Sequence, residues 1–284
     1  MIRPCRALFA ATALILWAGT ASAFTGSLES RLATSPDLMS AFEGFDPNST
    51  EFVGHNRWQS LLDVYLVSDK EKPNLFRYGA VTETDQQTLN DYIASLEAVG
   101  ISNYTRDEQK AFWINLYNAV TVRTVLEHYP VRSIREIDIS PGMFTAGPWG
   151  KKMVSIEGVD LSLDDIEHRI LRPIWQDNRI HYAVNCASLG CPDLWPVVFT
   201  PENMEANLDR AATKFINSPR GVFIEGGRMR VSKIYEWYDE DFGGSDEGVA
   251  EHLLKYARKP LVREINRRLG SIKTDYEWDL NDAR

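Results

Sequence analysis

The sequence predicts an α+β fold: a single domain with a central buried helix beside a small, mainly antiparallel sheet. Three observations lead there. The stretch that opens at Thr105 is apolar on nearly every face, the mark of a helix in the middle of a core. Beyond it the pattern changes to short apolar segments divided by turn residues, most clearly Val222–Glu225 and Arg228–Ser232 around Gly226-Gly227. No repeat, low-complexity run or linker marks a second domain, so residues 51–284 read as one unit.

The elements follow in order. Arg3 and Arg6 precede an apolar run, Ala7–Trp17, and the small residues Ala21-Ser22-Ala23. Residues 1–23 are therefore expected to be a signal peptide cleaved after Ala23, which sends the chain to the periplasm or outside the cell. Residues 24–50, rich in Ser, Thr, Gly and Pro, form an irregular lead-in. Helices are predicted over Phe52–Val67 and Gln86–Ala98, the second ended by Gly100. Thr105 and Glu108 have capping-box spacing and start the central helix, which stops near Tyr129 ahead of Pro130. Lys152–Ile156 and Val159–Leu161 form a hairpin around Glu157-Gly158. Ser162 and Asp165 open a helix that carries Glu167 and His168 and ends at Pro173. Arg179–Cys186 reads as an interior strand, and Asn207–Ile216 and Glu247–Arg258 as helices.

Composition narrows the partners. Forty acidic side chains against 31 basic ones give a net charge of −9, and loss of Arg3 and Arg6 makes the cleaved chain two units more negative. That balance opposes binding to nucleic acid. No stretch after the leader is long and apolar enough to span a bilayer, so no stable membrane insertion is expected after cleavage. What remains is an unknown small molecule or peptide.

Four blocks carry a family resemblance: Ala111–Val120, Leu163–Arg172, the run from Arg179 to Pro192, and Ser232–Phe242. Together, over a core of about residues 104–242, they resemble the domain of unknown function 547 family. With neither a coiled coil nor a glutaredoxin-like module attached, the chain looks like a stand-alone exported bacterial form. The resemblance implies a shared fold and a shared pocket, and no named reaction.

The candidate chemistry lies in these blocks. Cleavage removes Cys5 and leaves Cys186 and Cys191, and an even pair in an oxidising compartment points to a disulfide closing the loop Ala187–Gly190. The other reading makes Cys186 a nucleophile, which needs a basic or positive neighbour. His181 lies five residues before Cys186, so on a strand the two face opposite ways. His168, delivered from a helix, is the better general base or acid, with Glu167, Asn115 or Asn118 to orient it. His168, His181, Cys186 and Cys191 are ligand types that zinc takes, but they lack the close spacing of zinc motifs, so neither metal nor cofactor is expected. Asn115 and Asn118 share one face of an apolar helix and need polar partners wherever they are buried. Asn118, His168, His181 and at least one of the two cysteines are expected to surround one cavity. Two functions stand side by side: a hydrolase or transferase using this His/Cys/Asn pocket, and a non-catalytic periplasmic binding or scaffold protein with a structural Cys186–Cys191 disulfide.

Overall fold

The computed structural model describes residues 36–142, 146–268 and 272–284. The expected signal peptide and residues 24–35 of the lead-in lie outside the described residues. The first half is helical. It runs α1 (Asn56–Tyr65), the short paired strands β1 (Leu66–Val67) and β2 (Leu75–Phe76), α2 (Glu83–Glu97) and α3 (Arg106–His128). Thr82 caps α2 by accepting from the Asp85 N–H, and Thr105 caps α3 by accepting from the Glu108 N–H. Only half of the capping box forms at α3, because the Glu108 carboxylate takes the Val53 N–H instead, at 2.8 Å. As expected from its sequence, α3 is buried almost all round, from Glu108 through Thr121.

A hairpin of β3 (Val154–Ile156) and β4 (Val159–Leu161) turns at Glu157 and Gly158, both with positive φ. A complete capping box follows, with the Ser162 N–H on the Asp165 carboxylate at 2.8 Å and the Asp165 N–H on the Ser162 hydroxyl at 3.2 Å. The helix it opens is π-helical over Asp165–Leu171 and continues as α4 (Arg172–Trp175). Pro173 therefore does not end this helix. It sits in the first turn of α4, where a residue without an N–H is tolerated, and Gln176 ends the helix in the left-handed conformation.

Residues 179–186 correct the sequence reading more sharply. They are not a strand but a 3₁₀ turn, Asn178–Tyr182, followed by a buried loop. Backbone groups there that a neighbouring strand would satisfy are met by a side chain: Asn118 donates to the Ala183 carbonyl at 2.9 Å and accepts the Asn185 N–H at 2.8 Å.

The remaining elements are α5 (Met204–Ile216), β5 (Val222–Glu225), β6 (Arg228–Ser232), α6 (Ile234–Trp237), α7 (Asp246–Tyr256), α8 (Lys259–Arg267) and β7 (Ile272–Asp275). β5 and β6 pair antiparallel around Gly226-Gly227, whose φ of 55° and 78° favour glycine, and β7 adds in parallel to β6. The fold is thus α+β, with three small sheets among the described residues in place of the single one expected. Sequence reading missed α8 and β7. The larger apolar core surrounds α3, a smaller one packs α5, α7 and α8 on the β5–β6–β7 sheet, and Trp195 and Trp278 touch both. No helix among the described residues is long and apolar enough to cross a membrane.

Candidate functional site

Between the two cores lies a cavity of about 40 Å³. Glu167, His168, His181, Cys186 and Cys191 line it together with the aromatic side chains Trp149, Trp237, Tyr238, Tyr276 and Trp278. The space between these side chains, including the part open to solvent, is about 480 Å³.

One wall is a chain of charged groups. The π-helical segment presents Glu167 and His168 side by side, and π-helical turns are rare and concentrate at functional sites. Glu167 accepts from the Tyr117 hydroxyl at 3.1 Å and lies 3.6 Å from His181 Nδ1. His181 Nε2 meets the Asp241 carboxylate at 2.6 Å, and Arg172 Nε donates to the same oxygen at 2.6 Å. Arg172 also donates to His168 Nδ1 at 3.1 Å. Because arginine has no acceptor, that contact makes His168 an acceptor at Nδ1 and leaves the proton on Nε2. Nε2 faces Asp164 at 3.9 Å. Tyr238 stacks on His181 with ring centroids 4.1 Å apart.

The protonation states follow from this pairing. Burial works against the Glu167 carboxylate, but the charges of His168, His181 and Arg172 outweigh it and lower its pKa to about 2. (At the pH where Glu167 would titrate, His168 is itself protonated.) Asp241 is likewise held at about 2: burial opposes ionisation, but the hydrogen bonds from His181 and Arg172 win. Burial pulls His181 down as well, but Asp241 and Glu167 raise it above its ordinary value, which favours its protonated form between two carboxylates. Burial lowers His168 to about 4 and keeps it neutral. Asp164, half-buried with its side chain 45% exposed, is raised to about 7 by partial loss of water and by the neighbouring charges of Glu167 and Asp165.

The opposite wall carries sulfur. Cys186 Sγ lies 3.0 Å from the Tyr276 hydroxyl and 3.3 Å from the Ser188 hydroxyl, and those hydroxyls are 2.8 Å apart. The Cys186 N–H points at Cys191 Sγ at 3.0 Å. Burial raises the Cys186 pKa, but hydrogen bonds from Cys191, Ser188 and Tyr276 outweigh that and lower it, whereas burial and its neighbour push Cys191 far up. The expected disulfide is not formed: both cysteines are free. The chain between them instead makes a tight turn braced from outside. Leu189 and Gly190 donate to the Asp279 and Glu277 carbonyls, and Arg220 donates to the Cys191 carbonyl at 2.7 Å. A Cβ on Gly190 would sit 2.7 Å from the Glu277 nitrogen, so only glycine fits against that backbone.

The sequence candidates are thus sorted. His168, His181, Glu167, Cys186 and Cys191 share the cavity; Asn118 does not line it. Asn118 lies beneath and ties down the loop that leads to Cys186, while Asn115 does the same for Phe199, giving and taking a hydrogen bond with its backbone. Arg179 pairs with Asp177, and Arg172 with Asp241. Sequence reasoning missed Asp164, Ser188, Tyr276 and Trp278 as cavity or thiol neighbours. The alternation Tyr276-x-Trp278-x-Leu280 was the available signal that the C-terminal segment lies extended over a packed surface. Among the described residues no three His, Cys, Asp or Glu side chains are arranged to hold a metal ion.

Residues 101–216 match the model of a family described as "Protein of unknown function, DUF547". The match supports that domain family over a segment containing the π-helical turn and both cysteines, and it stops short of Asp241 and Tyr276. No curated protein and no solved structure gives a significant match.

Proposed function

We propose that this protein is a thiol-dependent hydrolase or transferase with Cys186 as nucleophile. The observation that carries the reading is the pair of hydroxyls, Tyr276 and Ser188, within hydrogen-bond reach of Cys186 Sγ on the cavity wall. Donors of this kind favour the thiolate, which is the reactive form. In the proposed step Cys186 Sγ attacks an acyl carbon at the mouth of the cavity. The S–C bond forms, the bond to the leaving group breaks, and Asp164, with a pKa of about 7, supplies the proton the leaving group needs. Water or a second acceptor then releases the acyl group. His168 offers its Nε2–H to developing negative charge. Glu167, His181, Asp241 and Arg172 are already paired with one another and act by holding His168 and Tyr238 in place.

Mixing the reduced protein with p-nitrophenyl acetate tests this. A burst of one p-nitrophenol per chain, absent from Cys186→Ala, is the expected result. No burst, with Cys186 alkylated no faster than a free thiol, sinks the reading.

The small enclosed volume favours a second reading, a non-catalytic binding or scaffold protein in which the charged wall holds the two cores together. Under it His168→Ala lowers the melting temperature strongly; under the first it removes activity and leaves the melting temperature nearly unchanged. We further propose export through the apolar leader. N-terminal sequencing of native protein should begin at Phe24, and an intact Met1 on a membrane-bound form would overturn it.

A further inference from the structure

The enclosed part of the cavity has room for only a few water-sized molecules, and two thiols sit on it. From that juxtaposition we infer that the Cys186–Cys191 pair reduces a small hydroperoxide, with hydrogen peroxide as the smallest member of the class. The inference rests on the nucleophilic Cys186 of the proposed function and names a different electrophile for it.

The geometry separates the two sulfurs into two roles. Cys186 is half-buried, faces the cavity, and has the Tyr276 and Ser188 hydroxyls on its sulfur at 3.0 and 3.3 Å. Cys191 is buried beside it on the same cavity, close enough that its sulfur accepts the Cys186 N–H at 3.0 Å. An accessible thiolate beside a second, protonated thiol is the arrangement that turns a sulfenic acid into a disulfide. A molecule of two heavy atoms fits within the roughly 40 Å³ that both sulfurs line.

The chemistry balances in two steps. Cys186 thiolate attacks one peroxide oxygen; the S–O bond forms, the O–O bond breaks, and the other oxygen leaves as hydroxide and takes up a proton as water. Cys191 then loses its proton and attacks the Cys186 sulfenic sulfur. The S–S bond forms, the S–O bond breaks, and the hydroxyl departs with a proton as a second water. Two thiols are oxidised and one peroxide is reduced. An external dithiol, such as dithiothreitol in the assay, returns the pair to its starting state. Disulfide formation brings the two sulfurs to a bond of about 2.05 Å. The turn between them is braced from outside, so that closure is local.

The test uses the full reduced chain and hydrogen peroxide. One equivalent of peroxide should disappear per chain, both thiols should be lost together, and unreduced peptide mapping should join Cys186 to Cys191. With Cys191→Ser, Cys186 should gain one oxygen and be trapped by dimedone. With Tyr276→Phe, which keeps both thiols, consumption should slow several-fold. The wild-type rate should exceed that of free cysteine by about tenfold at neutral pH, from thiolate fraction offset by lower nucleophilicity. Thiols that persist in peroxide as long as free cysteine overturn the proposal, as does a wild-type chain whose two cysteines gain oxygen separately with no disulfide between them. If such a protein still gives the p-nitrophenol burst, the nucleophile stands and only the peroxide falls. If it neither bursts nor alkylates quickly, both fall.

Discussion

The two walls of the cavity solve the burial of polar groups in opposite ways. On the charged wall every ionised group has a counter-charge: Glu167 and Asp241 flank His181, and Arg172 closes the chain to His168. On the sulfur wall the Cys186 sulfur meets neutral hydroxyls, and its backbone N–H meets the second sulfur. A buried charge must be paired to be tolerated, so the first wall is rigid and its members are spoken for. A thiol is tolerated either way, so the second wall keeps a group free to react. Histidines in an apolar setting drew attention in the sequence, and here both are tied to the paired charges of that wall.

That contrast breaks most readily at Asp241. Asp241→Ala leaves Arg172 and His181 buried with one counter-charge fewer, and should cost about 3–5 kcal/mol in urea denaturation. A loss under about 1 kcal/mol would show that the charged wall does not hold the cores together. Next in size is Asn118→Leu, which strands the Ala183 carbonyl and the Asn185 N–H beneath the sulfur wall. We expect a loss of about 1–3 kcal/mol, with slower alkylation of Cys186 as its loop loosens. An unchanged denaturation midpoint would mean that Asn118 is dispensable.

The dependence on pH sharpens the comparison. His168 titrates at about 4 when folded against 6.5 ordinarily, so its contribution to stability is present above pH 6.5 and lost as the pH falls toward 4. His55 and His252, lowered to about 4 by burial, act in the same direction. Asp164, raised from 3.8 to about 7, opposes them: its protonated form stabilises the fold, and that contribution fades as pH climbs to 7. His181 is raised, so its contribution is present below pH 6.5 and is lost as the pH climbs beyond it. Three histidines outweigh one aspartate, and the urea midpoint should rise from pH 4 to 6.5. Asp164→Asn should steepen the rise; a slope that flattens instead would contradict a raised Asp164. The smallest expected effect on stability is at the sulfur wall. Tyr276→Phe removes one hydroxyl and should cost no more than about 1.5 kcal/mol, while shifting the pH profile of Cys186 alkylation upward. An unmoved profile would mean that Tyr276 packs against the thiol without tuning it.

What could be read from sequence was local. The cap at Thr105, the reciprocal Ser162–Asp165 box and the Gly226-Gly227 turn each depend on residues within three positions of one another, and each formed where expected. The residue types of the site were equally legible, since polar side chains stand out against apolar neighbours. Strand and loop were confused at residues 179–186 because burial makes both apolar, and only the hydrogen bonds of Asn118 tell them apart. The partners that set the chemistry were out of reach. Asp241 is 60 positions from His181, and Tyr276 is 90 from Cys186. Whether a histidine is charged or a thiol ionised depends on distance through space and on exclusion of water, and the folding of the C-terminal segment over the Cys186 loop sets both.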